Sequence, residues 1–136
     1  MAKQIFVNLA VKNLNRSVEF FTKLGYTFNP QFTNELATCM IISDTIFIML
    51  LTEPFFQSFS SKKQLADTSK VFECSICLSC ESKDEVNEMV DKAVAAGATV
   101  PDPANDHGWM YQHSFDDLDG HHWELAWMDP AGPPKP

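Results

Sequence analysis

Phe115-Asp116-Asp117-Leu118-Asp119-Gly120-His121-His122-Trp123-Glu124-Leu125-Ala126-Trp127-Met128 is the stretch whose reading decides the fold. Asp119-Gly120 signals a hairpin turn, because a tight turn needs positive φ and glycine supplies it without a steric penalty. Beyond the turn, Trp123, Leu125 and Trp127 alternate with His122 and Glu124, so one face of the strand is apolar and the other polar. A two-residue turn pairs Leu118 with His121 and sets Phe115 opposite Glu124. In that register Tyr111, His113 and Phe115 share a face with Glu124, and this face is the expected floor of a ligand site.

Upstream, the second half begins with a strand over Val71–Cys80. Ser82-Lys83-Asp84-Glu85 has the form of a capping box, in which a serine and a glutamate three residues later satisfy each other's backbone donors. Val86, Met89, Val90, Ala93 and Val94 make the helical stripe, and Gly97 ends it. Thr99-Val100 starts a short strand, Pro101–Gly108 is a loop, and Trp109–Asp116 and His121–Met128 are the closing strands.

The first half has the same order. Gln4–Val11 alternates as a strand, with Ile5, Val7, Leu9 and Val11 on one face and Phe6, Asn8 and Ala10 on the other. Asn13 caps a helix whose stripe is Leu14, Val18, Phe20, Phe21 and Leu24, and Gly25 stops it. Strands follow near Tyr26–Phe32, Leu36–Ser43 and Thr45–Leu51, with turns at Asn34-Glu35 and Ser43-Asp44. Both halves therefore read β-α-β-β-β, with Leu9 matching Leu78. Such a repeat implies two similar units around one shared sheet. Residues 53–70 connect them, with Pro54, Phe55, Phe56 and Phe59 and a short helix expected. This connector covers a sheet edge or, alternatively, acts as a lid or dimer contact. Residues 129–136 form a Pro/Gly-rich tail expected to fray.

A chain of 136 residues with 45% apolar content is expected to be one domain with a real core. The formal charge of −8 argues against a general nucleic-acid or anionic-membrane binder, since both reward basic patches. No apolar run is long enough to cross a membrane and no secretory signal is apparent, so a cytoplasmic protein with free thiols is expected. Cys74-x-x-Cys77-x-x-Cys80 resembles a cluster motif, but its setting is a strand, which spreads the thiols apart and turns Cys77 to the opposite face. The expected role is that of small apolar residues, with a reactive Cys77 as the alternative. No phosphate-cradling glycine loop or serine nucleophile elbow is present.

The duplicated β-α-β-β-β pattern, the phrase Val11-Lys-Asn-Leu-Asn-Arg-Ser17 leading to a Phe-Phe helix closed by Leu24-Gly25, and Asp117-Leu-Asp-Gly-His-His-Trp-Glu124 together resemble the vicinal oxygen chelate superfamily. That group includes glyoxalases, bleomycin-resistance proteins, fosfomycin-resistance enzymes and extradiol dioxygenases. The resemblance extends to about Met128 and is nearest to glyoxalase-like bacterial proteins. It implies an α+β fold: two βαβββ modules, residues 1–52 and 71–128, forming a curved eight-stranded mixed sheet around a cavity within one domain, 1–128. It also places the helices on the outer face and implies a homodimer.

The family's divalent metal is held from four strand positions. By the resemblance these fall on Phe6, near Met49, on Ser75 and on Glu124. Phenylalanine donates nothing, methionine is soft and neutral serine is weak, so no cofactor is expected and the usual metal centre is disfavoured. A displaced site using Glu124, His122 and His113 is the alternative, against a simpler reading in which the histidines are hydrogen-bonded or solvated. The expected cavity lining is Phe6, Asn8, Phe47, Met49, Ser75, Cys77, Tyr111, His113 and Glu124, with Trp109 at its edge. That lining suits a small, partly hydrophobic molecule. Three functions follow: metal-independent small-molecule binding, as in the drug-resistance branch; a lyase or isomerase of the glyoxalase type, with Glu124 as general base and Tyr111, His113 or Asn8 as enolate donors; or a dimeric interaction module.

Overall fold

The computed structural model describes residues 2–60 and 62–135, and the chain divides into two compact units, residues 1–66 and 67–136. In the first, the alternating stretch forms β1 (Ile5–Val11), whose buried end is Leu9 and Val11. Helix α1 (Leu14–Lys23) starts where the Asn13 side chain accepts the Arg16 N–H at 3.1 Å, and ends at Gly25, whose φ of +103° is open to glycine. The helix buries Ser17, Phe20 and Phe21, while Val18 is only half-buried. β2 (Thr27–Phe28), β3 (Ala37–Ile41) and β4 (Ile46–Thr52) follow, and then a short helix α2 (Glu53–Gln57).

The sheet order is β1-β4-β3-β2, with β1 parallel to β4 and the other pairs antiparallel. The strand expected over Tyr26–Phe32 is cut to two residues. Pro30 has no N–H for the ladder, and the Asn29 side chain accepts the Gln31 N–H at 3.0 Å, so Pro30–Phe32 winds into a 3-10 turn.

The second unit contains β5 (Ser75–Ser79), α3 (Lys83–Ala95), β6 (Asn105–Asp106), β7 (Met110–Asp116) and β8 (His122–Met128). Its sheet order is β5-β8-β7-β6, with β5 parallel to β8 and the others antiparallel. The eight strands of the α+β fold thus lie in two four-stranded mixed sheets. β5 is half the expected length, and β6 falls inside what the sequence presents as loop. Thr99 makes only an isolated bridge to Asp116.

At the start of α3 the Ser82 hydroxyl accepts the Glu85 N–H at 3.0 Å, but the Glu85 carboxylate returns to the Glu81 N–H at 2.6 Å rather than to Ser82. The helix buries Val86, Val90 and Ala93 and packs on β7 and β8; Val94, placed in the stripe by sequence, is exposed. On the sheet side the core consists of Phe115, Trp123 and Leu125. Each large apolar side chain of this kind contributes about 1.5–3 kcal/mol by leaving water.

The β7–β8 connection corrects the two-residue turn. Asp117 N–H donates to the His121 carbonyl at 2.9 Å, so three residues, Leu118 to Gly120, form the loop. One Asp117 carboxylate oxygen accepts the N–H groups of Asp119 (2.9 Å) and His121 (3.0 Å), and the other accepts the Trp123 indole N–H at 2.9 Å. These bonds favour the longer loop. The register moves by one residue: Ser114 lies opposite Glu124, and Phe115 opposite Trp123.

Candidate functional site

The register distributes the side chains of the second unit between two unlike faces. Tyr111, His113 and Phe115 pair with Trp127, Leu125 and Trp123. Partners across a ladder point to the same side, and successive residues alternate, so these six occupy the face on which α3 packs. There Tyr111 donates its hydroxyl to Asn87 at 2.7 Å, and the Lys83 ammonium lies 5.9 Å from the Tyr111 ring and 5.6 Å from the Trp127 ring. The one-residue shift therefore takes the Tyr111 and His113 ladder positions off the Glu124 face; Tyr111 is lost to the site, whereas His113 still borders the cavity beside Glu124.

The opposite face is polar. Its first row is Ser75, His122 and Asp116, its second Cys77, Glu124 and Ser114, and its third Ser79, Ala126, Gln112 and Asn105. Ser75 and Cys77 do share the Glu124 face. His122 lies between two carboxylates: Asp116 Oδ1 is 2.8 Å from Nδ1 and Glu124 Oε1 is 3.5 Å from Nε2. Its side chain is only 12% exposed, and the Phe72 ring packs beside it at 5.3 Å. A neutral imidazole has one N–H and one lone pair, so it can donate to only one of these carboxylates; the imidazolium can donate to both. Asp116 orients the ring, and Glu124 stands at the other nitrogen.

A cavity of about 250 Å3 opens on this face. Its wall comprises Asp102, Pro103, Asn105, Gln112, His113, Ser114, His122 and Glu124. Trp109 is outside the wall, and its carbonyl accepts the Asp129 N–H at 2.7 Å. Asp102, Asn105, Gln112, Ser114 and Asp116 were missed by sequence reasoning. Counting three loop residues instead of two would have placed Ser114 and Asp116 beside Glu124 and His122; Asp102, in the loop before β6, and Asn105, in β6 itself, carry no comparable signal.

In the first unit, Phe6 pairs with Phe47 and Asn8 with Met49, and Ile41 and Cys39 continue these rows. The Phe6 and Phe47 rings stack at 5.0 Å. Apart from Asn8, this face carries apolar side chains where the second unit carries mostly polar ones.

The family's metal positions can be tested on this donor set. Phe6 and Met49 supply no hard donor in the first unit, and in the second Ser75 and Glu124 are a neutral hydroxyl and one carboxylate. His122 is not a ready replacement, because both ring nitrogens face carboxylates. Among the described residues no group of three or more His, Cys, Asp or Glu side chains is arranged to hold a metal ion. The residues present do not fit the usual centre.

The cysteines are free thiols. Burial and then the Glu124 charge push Cys77 up, and burial, followed by Glu85, Cys77 and Glu81, pushes Cys80 up to about 11. Both shifts work against the thiolate that nucleophilic chemistry requires. Cys74 lies before β5 and Cys80 just after it.

Among the described residues no helix is long and apolar enough to cross a membrane. A family model described as the Glyoxalase/Bleomycin resistance protein/Dioxygenase superfamily matches residues 3–125. A solved structure of a hypothetical protein from S. aureus is similar at 27% identity and a TM-score of 0.77, over 93% of this chain and 95% of that one. A glyoxalase/bleomycin resistance protein/dioxygenase family enzyme from Burkholderia phytofirmans is similar at 14% identity and a TM-score of 0.76, over 93% and 99%. A fosfomycin resistance protein from Listeria monocytogenes is similar at 18% identity and a TM-score of 0.68, over 96% and 97%. No curated protein matches the chain.

Proposed function

The chain belongs to the glyoxalase/bleomycin resistance protein/dioxygenase superfamily, and from that premise we propose that it binds a small polar molecule on the β5-β8-β7 face, without the metal centre usual in the group. The observation that carries this reading is the cavity of about 250 Å3 walled by carboxylate, amide, hydroxyl and imidazole groups. Its size lies below the range of about 300–1,000 Å3 typical of drug-sized sites, which favours a metabolite-sized ligand. The wall is more polar than the partly hydrophobic lining expected from sequence. Thermal-shift screening of the purified chain against a metabolite and aromatic-drug panel tests the reading. A polar metabolite should raise Tm, and Glu124→Gln should abolish the rise. A panel in which only apolar compounds shift Tm, equally in wild type and variant, would contradict it.

A second reading is favoured by the Asp116–His122–Glu124 arrangement: proton transfer next to a carbonyl, as in a lyase or isomerase of the glyoxalase type. Glu124 would take the proton, with His122 oriented by Asp116 beside it. Donors for the developing enolate would come from Gln112, Ser114 or Asn105 on the cavity wall, because the Tyr111 hydroxyl is committed to Asn87 on the other face. Loss of turnover in Glu124→Gln would support this reading, and unaltered turnover would remove Glu124 from the chemistry.

A further inference from the structure

Ser114 is only 8% exposed and lies in the cavity wall, yet its hydroxyl has no hydrogen-bond partner among the described residues. The hydroxyl borders the cavity, and with no protein partner it is free to accept a hydrogen bond from a molecule held there. Across the ladder stands Glu124, of which one oxygen faces His122 and the other has no partner among the described residues. Ser114 and Glu124 form one of the closely spaced, non-hydrogen-bonded pairs of the antiparallel ladder, because the neighbouring odd-numbered positions carry the ladder bonds. This follows from the bonds joining Asp117 to His121 and Asp129 to Trp109. The Gln112 and Asn105 side chains, which pair in the next row, add two amide carbonyl acceptors.

The charge of the cavity is one-sided. Asp102 and Glu124 are in its wall, Asp116 stands behind His122, and among the described residues no lysine or arginine lines it. Protonating His122 would still leave three carboxylates against one cation. Lys83 is engaged elsewhere, bonded to Asp106 at 3.2 Å and placed over the Tyr111 and Trp127 rings of the other face.

We propose that this cavity selects a small primary ammonium compound, whose N–H donors reach Ser114 and the free oxygen of Glu124. The proposal rests on the small-molecule-binding reading above and names its ligand class. An ammonium group only donates, which matches a wall rich in acceptors, and its charge is attracted by the surrounding carboxylates. A neutral hydroxyl compound lacks that attraction, and an anion is repelled.

Three probes of one skeleton test it: ethanolamine, ethylene glycol and glycolate, titrated at pH 7.5 into the full chain while amide resonances are followed by NMR. Ethanolamine is expected to bind in the millimolar range and to move the resonances of Gln112, Ser114 and Glu124. Ser114→Ala and Glu124→Gln should each weaken it by about tenfold, the scale of one charge-assisted bond, with the unperturbed spectrum of each variant showing that it folds. If ethylene glycol or glycolate perturbs the same residues as strongly as ethanolamine, the ammonium assignment is overturned while the polar-cavity reading stands. If Ca2+ or Mg2+ does so at lower concentration than ethanolamine, a metal ion replaces the ammonium. If no probe moves any cavity resonance, both the assignment and the binding reading fail.

Discussion

Asp117 governs the site without lying in the cavity wall. Its carboxylate gathers the N–H groups of Asp119, His121 and Trp123, and it is itself buried. Burial pushes its carboxyl up, while the His121 charge and the Trp123 and Asp119 donors pull the other way. In the unfolded chain the group ionises near pH 3.9, about its ordinary value, and in the fold it ionises later. Between those two points the folded state holds more protons than the unfolded one, so stability from this group is complete below the unfolded pKa and is lost as pH rises through the folded one. Urea unfolding from pH 3.5 to 7 should therefore show the advantage of wild type over Asp117→Asn shrinking with rising pH. An advantage that grows with pH would reverse the assigned direction. None of this is legible in the sequence, where Asp116, Asp117 and Asp119 look alike; their different partners are set by which side of the ladder each reaches.

Most elements are legible because their signals are local. Asn13 and Gly25 bound α1, Ser82 and Gly97 bound α3, and alternation locates β1, β7 and β8. The elements that sequence misjudges are those with a competing interaction. The Asn29 side chain and Pro30 shorten β2, and Asp117 lengthens the β7–β8 loop by one residue. That single residue transfers Tyr111 to the helix face, leaves His113 only bordering the cavity, and brings Ser114 and Asp116 to Glu124 and His122. Gly120 closes the loop with φ +85°, and a Cβ there would collide with the Thr68 carbonyl. Thr68 in turn donates its hydroxyl to the Asp119 carbonyl at 2.6 Å. Gly120→Ala should cost on the order of 3 kcal/mol, through positive φ and backbone collision together. Its urea midpoint should fall accordingly, whereas a midpoint equal to that of wild type would show that the loop is not built this way.

At the scale of the whole molecule, the duplication read from sequence holds in the pairings of three strands in each unit. Asn8 faces Met49, which faces Cys39; at the matching places Cys77 faces Glu124, which faces Ser114. The same template thus carries a largely apolar row in one unit and a polar, acid-bearing row in the other. Those substitutions were visible in the sequence position by position. The cavity was not, because it depends on β6 and on the loop before it, where the sequence shows no strand. The site requires Ser114 to lie directly opposite Glu124, and the most direct measurement is the set of cross-strand Hα–Hα contacts in a NOESY spectrum of the uniformly labelled chain. Strong cross-peaks are predicted for Gln112–Ala126, Ser114–Glu124 and Asp116–His122; a Phe115–Glu124 cross-peak in their place would return Tyr111 and His113 to the acid's face and contradict the site described.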